Sequence, residues 1–322
     1  MNTRVKGGLV ETMEYSSLGR TGLQVSKLAL GTAAFGLENY GIQEPDAPSR
    51  LGEDEAIGLV RAAVEKGINF FDTARGYGES ETILGKALSN CGSCIIATKV
   101  GICASGSSAT LKQTVVESIE TSLKALRRDV LDVVQIHNAT QDILERCEML
   151  DVLERARDAG KLKFVGASVY GEAAALAAIR CGKVDVLQIA LNLLDQRMLA
   201  KVLPEARKSN VGVVVRSAFL KGALTERAKL LPEGLRSLAR ASDRMRQGLG
   251  ETWESLPGAA IRFCLSVPGI HSVLLGLRSL PELDVARGAQ DAGPLDSALM
   301  QKTELLKLDD EQLLDPSYWP QV

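Results

Sequence analysis

Eight short strand-like runs recur along this chain, at residues 28–33, 69–73, 95–100, 131–137, 164–169, 186–191, 212–217 and 273–277. A stretch with helical spacing follows each one: 53–66, 79–88, 110–126, 139–159, 171–180, 195–208, 235–248 with 256–266, and 280–289. Ile119, Leu123 and Leu126 mark the apolar face of one of these helices. Gly67, Gly160 and Gly182 follow three of them, where glycine closes a helix before the next strand. Alternation this regular specifies a parallel sheet, and eight units in 322 residues favour a sheet closed on itself. An open doubly wound sheet would show GxGxxG after its first strand; Gly31-Thr32-Ala33-Ala34-Phe35-Gly36 lacks that spacing. The expected fold is α/β, a (β/α)8 TIM barrel. Residues 15–27 read as an N-terminal hairpin turning at Gly19-Arg20-Thr21-Gly22. With no longer repeat and no low-complexity linker, residues 1–322 read as one domain, with a barrel over about 28–290 and a tail over 291–322. Segments 219–256 and 291–322 exceed what a plain barrel needs and belong with the loops that shape its active face.

Composition narrows the partners. Apolar residues make up 45% of the chain, ample for a large core, and no run approaches the roughly 18 apolar residues of a membrane span. Residues 1–12 have no apolar segment of the signal-peptide kind. A net charge of −2 gives no reason to expect nucleic acid or an anionic membrane as partner, so a cytoplasmic protein acting on a small molecule is expected. Cys91-Gly92-Ser93-Cys94 is the one CxxC among six cysteines. It precedes a strand rather than opening a helix and has no second pair for zinc, so incidental thiols in a reducing compartment are expected. Two histidines, His137 and His271, supply no metal cage, and no metal is expected.

Four polar residues stand in apolar company. Asp72, Lys99 and His137 end the second, third and fourth runs, and Tyr77 lies in the loop after Asp72. Singly, each has an ordinary explanation: a helix cap, a snorkelling lysine, a satisfied histidine, a packed phenol. Together they do not, because a buried unpaired charge costs several kcal/mol and three successive strands each deliver one ionisable group. In a barrel the strands' C-terminal ends share one face, and neighbours about 4.8 Å apart bring such groups around one small molecule. An ammonium beside a phenol lowers its pKa from about 10 and eases proton transfer. Lys99 would supply that charge, Asp72 would hold it, and His137 would orient a carbonyl oxygen. The set suits carbonyl reduction, in which hydride reaches carbon and a proton reaches oxygen.

These residues carry a resemblance. Asp72-Thr73-Ala74-Arg75-Gly76-Tyr77-Gly78-Glu79-Ser80-Glu81 with Leu84-Gly85, Lys99 in Ala97-Thr98-Lys99-Val100, and His137 in Gln135-Ile136-His137-Asn138 resemble the signature and tetrad of the aldo-keto reductases. The similarity runs from about residue 15 to 289. It implies an oxidoreductase that binds NADPH across the C-terminal face, with Tyr77 as proton donor, Lys99 and Asp72 as its tuning pair and His137 as orienter. It further implies that Ser168 and Gln188 hold the nicotinamide carboxamide, and that Arg216 stacks on the ring where many members have tyrosine. Ser217, Phe219, Lys221 and Gly222 would embrace the pyrophosphate. Gly276, Arg278, Ser279 and Glu282 would take the adenosine 2′-phosphate and adenine, with Arg278 favouring NADP over NAD. Gly31, Thr32 and Asp72 complete the expected cofactor set. Val169 and Ala286 replace asparagines common in the family. Phe35, Tyr40 and Asn138 are the candidates for substrate walls. A cofactor-binding regulatory or partner subunit with the same fold is the alternative, and a metal-dependent hydrolase is disfavoured by the missing histidines.

Overall fold

The computed structural model of the chain describes residues 13–45, 47–101 and 108–320. Strands β1 (Tyr15–Ser17) and β2 (Gln24–Ser26) pair antiparallel as the expected hairpin. Eight further strands close a parallel barrel: β3 (Leu28–Gly31), β4 (Phe70–Asp72), β5 (Ile95–Val100), β6 (Leu131–Ala139), β7 (Leu162–Val169), β8 (Val186–Ala190), β9 (Gly212–Arg216) and β10 (Ser272–Leu275). Their order round the barrel is their order in the chain, with β10 returning to β3. Each strand is followed by a helical connection, which is the route back that parallel pairing requires.

Successive strand residues face opposite sides, and the two sides feed two cores. Leu30, Phe71, Ile96, Val134, Ile136, Val165 and Leu187 join the larger apolar cluster shared with the helices. Ala29, Phe70, Ala97, Val133, Val186, Val214 and Leu274 form a second cluster inside the barrel, closed from below by Leu18 and Val25 of the hairpin. Both hairpin side chains are fully buried, each contributing roughly 1.5–3 kcal/mol. The turn gets that close because Gly19 has a positive φ of 49° and no side chain; a Cβ there would lie 2.3 Å from the Gly212 nitrogen. Two residues beyond each inward apolar position the row turns polar or bare: Gly31, Asp72, Lys99, Gln135, Gln188, Arg216 and Gly276. That change of chemistry along one face places the site at the strands' C-terminal ends.

Several expected boundaries move. The helix expected over 139–159 is two helices, Gln141–Arg146 and Glu148–Asp158, because Cys147 between them has φ 59°. The helix expected over 195–208 is formed only at Val202–Lys208. Upstream of it the Asn192 side-chain oxygen accepts the N–H groups of Leu194 and Asp195, both at 2.9 Å, and holds a turn. The tail forms helices Ser297–Leu306 and Glu311–Leu314 and docks through buried Leu314 and Trp319. The CxxC thiols are corrected too: Cys91 and Cys94 form a disulfide, their Cα atoms 5.5 Å apart, because the turn before β5 folds one sulfur onto the other. Cys103 lies outside the described residues. His271 is structural as expected, its Nδ1 accepting the Val213 N–H at 2.9 Å before β10 begins. Among the described residues no helix is long and apolar enough to cross a membrane, and no cluster of side chains could hold a metal ion.

Candidate active site

Strands β4 and β5 pair with Asp72 beside Ala97, so the two inward side chains Asp72 and Lys99 meet within the barrel. Lys99 Nζ is hydrogen-bonded to Asp72 Oδ1 and donates to the Thr73 carbonyl at 2.9 Å. The other carboxylate oxygen accepts from Gln188 Nε2 at 2.8 Å and Gln135 Nε2 at 3.1 Å. All four side chains are buried. The pair is therefore a dry ion pair with its remaining lone pairs satisfied, the condition under which a buried salt bridge is tolerated. Gly166 makes room for it: a Cβ there would lie 2.7 Å from Gln135 Cγ.

Tyr77 stands above the pair. Its ring centroid is 5.0 Å from Lys99 Nζ and 5.5 Å from the His137 ring, which it meets edge-on at 83°. The loop holding it is pinned from below, since a Cβ on Gly36 would lie 1.9 Å from the Tyr77 carbonyl oxygen. Sequence reasoning expected Lys99 to lower the phenol's pKa. Instead burial raises it above the usual tyrosine value and the Asp72 carboxylate adds to this, with the Arg216 guanidinium pulling the other way. The physical reason is that burial strips a phenolate of water and the Asp72 carboxylate repels its charge. The phenol stays protonated through neutral pH and is held ready as a donor. Burial also lowers the Lys99 pKa, and Asp72 opposes it.

His137 is pushed down to about 4 by burial, then by the Lys99 and Arg216 charges. Its imidazole is neutral at physiological pH, so one ring nitrogen is a donor and the other an acceptor. The sign for stability follows. Between about pH 4 and the ordinary histidine value of about 6.5, the unfolded chain binds a proton that the folded chain does not, so stability rises with pH across that window. Burial lowers the His271 pKa as well, so His271 adds to the same slope. Urea midpoints measured from pH 4 to 7 should climb in the wild type and climb less in His137→Asn. An equal slope in both would show that His137 titrates normally.

A cavity of about 540 Å³ opens above these groups, within the range of small-molecule sites. Asp72, Tyr77 and His137 line it, with Lys99 buried beneath. Of the expected cofactor residues, Gly31, Thr32, Ser168, Gln188, Arg216 and Ser217 line it, as do Phe219, Lys221, Gly222, Gly276, Arg278 and Glu282. Ser279 does not; its hydroxyl caps the helix Leu280–Asp291 by accepting the Glu282 N–H. Tyr40 and Asn138 reach the cavity, but Phe35 is corrected: it is fully buried in the core among the outer apolar residues and walls nothing. Its short helix Ala33–Gly36 turns the ring away from the face.

Among the lining residues that sequence reasoning missed are Tyr170, Trp253, Arg227 and Pro316. It also missed Gln135, although its inward parity, two residues before His137, was there to be read. Arg216 stacks on Tyr170 at 3.8 Å and donates to the Val169 carbonyl at 3.0 Å. One face of the guanidinium is thus backed by an aromatic ring. Arg278 donates to Gln43 Oε1 at 2.6 Å and the Pro48 carbonyl at 2.8 Å, both neutral acceptors, and it forms no ion pair among the described residues. Burial and the neighbouring Arg227 charge lower its pKa. Two guanidiniums stand beside one cavity: Arg227 is ion-paired to Glu282 at 3.6 Å and Glu44 at 4.0 Å, while Arg278 is held by neutral acceptors and is the one of the two left to meet an anion.

The chain is similar to known proteins along most of its length. The chain is 30% identical over 223 residues to aldo-keto reductase YhdN of Bacillus subtilis, covering 66% of this chain and 64% of that one. It is 30% identical over 293 residues to L-galactose dehydrogenase of Arabidopsis thaliana, covering 84% and 86%. The aldo-keto reductase AKR11C1 of Bacillus halodurans, solved in its holo form, superposes with a TM-score of 0.76 at 26% identity, over 94% of this chain and 100% of that one. Residues 27–305 match the model of the aldo/keto reductase family, and the chain belongs to that family of oxidoreductases.

Proposed function

We propose that the protein is an NADP(H)-dependent oxidoreductase that reduces an aldehyde or ketone to an alcohol, or runs the reverse oxidation, with Tyr77 as proton donor. One observation carries this reading: a buried Lys99–Asp72 pair lies under the Tyr77 phenol, which meets the His137 imidazole edge-on, and Asp72, Tyr77 and His137 face one cavity. The cavity's residues fit a dinucleotide. At Gly276 no atom lies within 4 Å of where a Cβ would stand, so bare backbone faces open space. Ser168 Oγ donates to Gln188 Oε1 at 3.2 Å, and both oxygens keep lone pairs for an amide N–H such as that of a carboxamide. Arg216, backed by Tyr170, offers a flat cationic face for a ring. Arg278, held by neutral acceptors, offers charge to a phosphate.

When bound, the nicotinamide supplies the hydride that goes to the carbonyl carbon. Tyr77 delivers its proton to the carbonyl oxygen as negative charge grows there, and His137 donates a hydrogen bond to the same atom. Lys99 then stabilises the phenolate left behind, its own charge kept in place by Asp72. Asp72 is in turn fixed by Gln135 and Gln188, so nothing in the set reorganises as the proton leaves. In the oxidative direction the same groups act in reverse order.

Arg278→Leu tests the cofactor preference. Losing a charge-assisted contact to phosphate costs about 1.5–3 kcal/mol, so NADPH affinity should fall roughly 10–100-fold while NADH affinity changes little. Equal losses for both cofactors in fluorescence titrations would remove the 2′-phosphate role. A second reading, a partner subunit of low turnover, has one observation behind it. A rice protein described as a probable voltage-gated potassium channel subunit beta is 27% identical over 88% of this chain. Turnover of NADPH with a panel of aldehydes and ketones decides between them, since the partner reading expects little with every substrate.

A further inference from the structure

Behind the site, outside the tetrad, a carboxylate is buried with no exposure at all: Glu81, in the first turn of the helix Ser80–Ala87. Its Oε2 accepts from Arg75 NH1 at 2.6 Å, and its Oε1 accepts from the Thr98 hydroxyl at 2.6 Å. Each partner adjoins a reacting group. Arg75 lies two residues before Tyr77 in the loop after β4, and Thr98 lies one residue before Lys99 on β5. Lys99 faces inward, so Thr98 faces outward toward the helix that carries Glu81. The Arg75 backbone N–H also reaches the Lys99 carbonyl at 3.4 Å. Arg75 thus joins the loop to the strand twice, once directly and once through Glu81. An isolated buried carboxylate costs several kcal/mol, and this one is offset by its bonds to Arg75 and Thr98.

We propose that Glu81 is a positioning residue for proton transfer, tying the Tyr77 loop to the strand that carries Lys99 so that the phenol and the ammonium keep a fixed separation. The inference rests on the reading of Tyr77 as proton donor. Glu81 touches no reacting atom and acts through Arg75 and Thr98. A displacement of the donor of about 1 Å costs on the order of 100-fold in rate, whereas Arg216, Ser217, Arg278 and Glu282, which line the cavity for a cofactor, come from β9 and the segments after β9 and β10 rather than from this loop.

The test uses the full chain with NADPH and 4-nitrobenzaldehyde, and reads the single-turnover rate, NADPH affinity by fluorescence, and amide exchange of the 73–80 segment in cofactor-free protein. Glu81→Gln and Thr98→Val should lower the single-turnover rate about 10–100-fold and tenfold or less, respectively, with NADPH affinity within about twofold and faster exchange confined to 73–80. Arg75→Met should resemble Glu81→Gln, and Arg75→Lys, which keeps the charge, should recover most of the rate. If Glu81→Gln fails to fold, the Arg75 and Thr98 variants carry the same test. Wild-type single-turnover rates in the folded variants overturn the proposal, as does a rate loss matched by an equal loss of NADPH affinity. Tyr77→Phe is the control. Full activity in it removes the proton-donor reading itself, whereas an inactive Tyr77→Phe beside a fully active Glu81→Gln removes only the role of Glu81.

Discussion

Tyr77→Phe should slow single-turnover carbonyl reduction by about 10²–10⁴-fold, the range that a positioned general acid contributes, while NADPH binds as before. The substitution removes one oxygen and little else. The ring stays to pack 5.5 Å from His137 and 5.0 Å from the Lys99 ammonium, and the loop beneath it is held by backbone contacts at Gly36 and Gly78. Tyr77 makes no side-chain hydrogen bond to the described residues, so the fold loses no internal bond and the thermal midpoint should shift by little. With the donor gone, the growing alkoxide would rely on water, which the buried walls restrict. A solvent isotope effect separates this from general damage. It should change with the donor, because the proton now comes from a different source. Rates within about threefold of wild type in both directions would mean that the proton comes from elsewhere.

The barrel was legible because its pattern is repeated eight times, so an error at one boundary does not disturb the whole. The boundaries that moved were those decided by a single residue's backbone or side chain. Cys147 breaks a helix through a positive φ that periodicity does not encode, and Asn192 delays another through hydrogen bonds to its own neighbours. Asp72 and Lys99 were legible because each is polar where its strand's inward row has been apolar, with His137 two residues further along the row on β6 and Tyr77 in the loop that follows Asp72. The same rule extends to Gln135 and Gln188, which stand at that change of chemistry on β6 and β8. What could not be read was anything set by loops that meet only in three dimensions. Phe35 looked like a wall but turns into the core. Tyr170 and Arg227 reach the cavity from segments whose paths no local pattern fixes. The disulfide escaped for a similar reason, since the spacing of Cys91 and Cys94 is common to bonded and unbonded pairs and only the turn before β5 decides.

The ion pair at the barrel's centre should separate stability from catalysis. Lys99 and Asp72 are 1% and 4% exposed, and removing one partner of such a pair leaves the other buried and uncompensated at a cost of about 3–5 kcal/mol. Lys99→Met should suffer that full loss, because the Asp72 carboxylate keeps only the neutral amides of Gln135 and Gln188 as donors. Asp72→Asn should lose less. Burial already lowers the Lys99 pKa, and losing the carboxylate that opposes this shift makes the amine easier to neutralise, which relieves part of the desolvation penalty. The double variant Asp72→Asn with Lys99→Met buries no charge, so its stability should recover well above that of Lys99→Met alone, in a cycle with a coupling of roughly 1–3 kcal/mol. Its activity should not recover. Without the ammonium nothing stabilises the phenolate that Tyr77 must become, and single-turnover rates should stay down by at least about 100-fold in all three variants. Urea midpoints and single-turnover rates on the same four proteins give both readings. Additive stability losses would show that the two groups do not compensate each other, and a double variant that regained activity with its stability would show that the pair serves the fold alone.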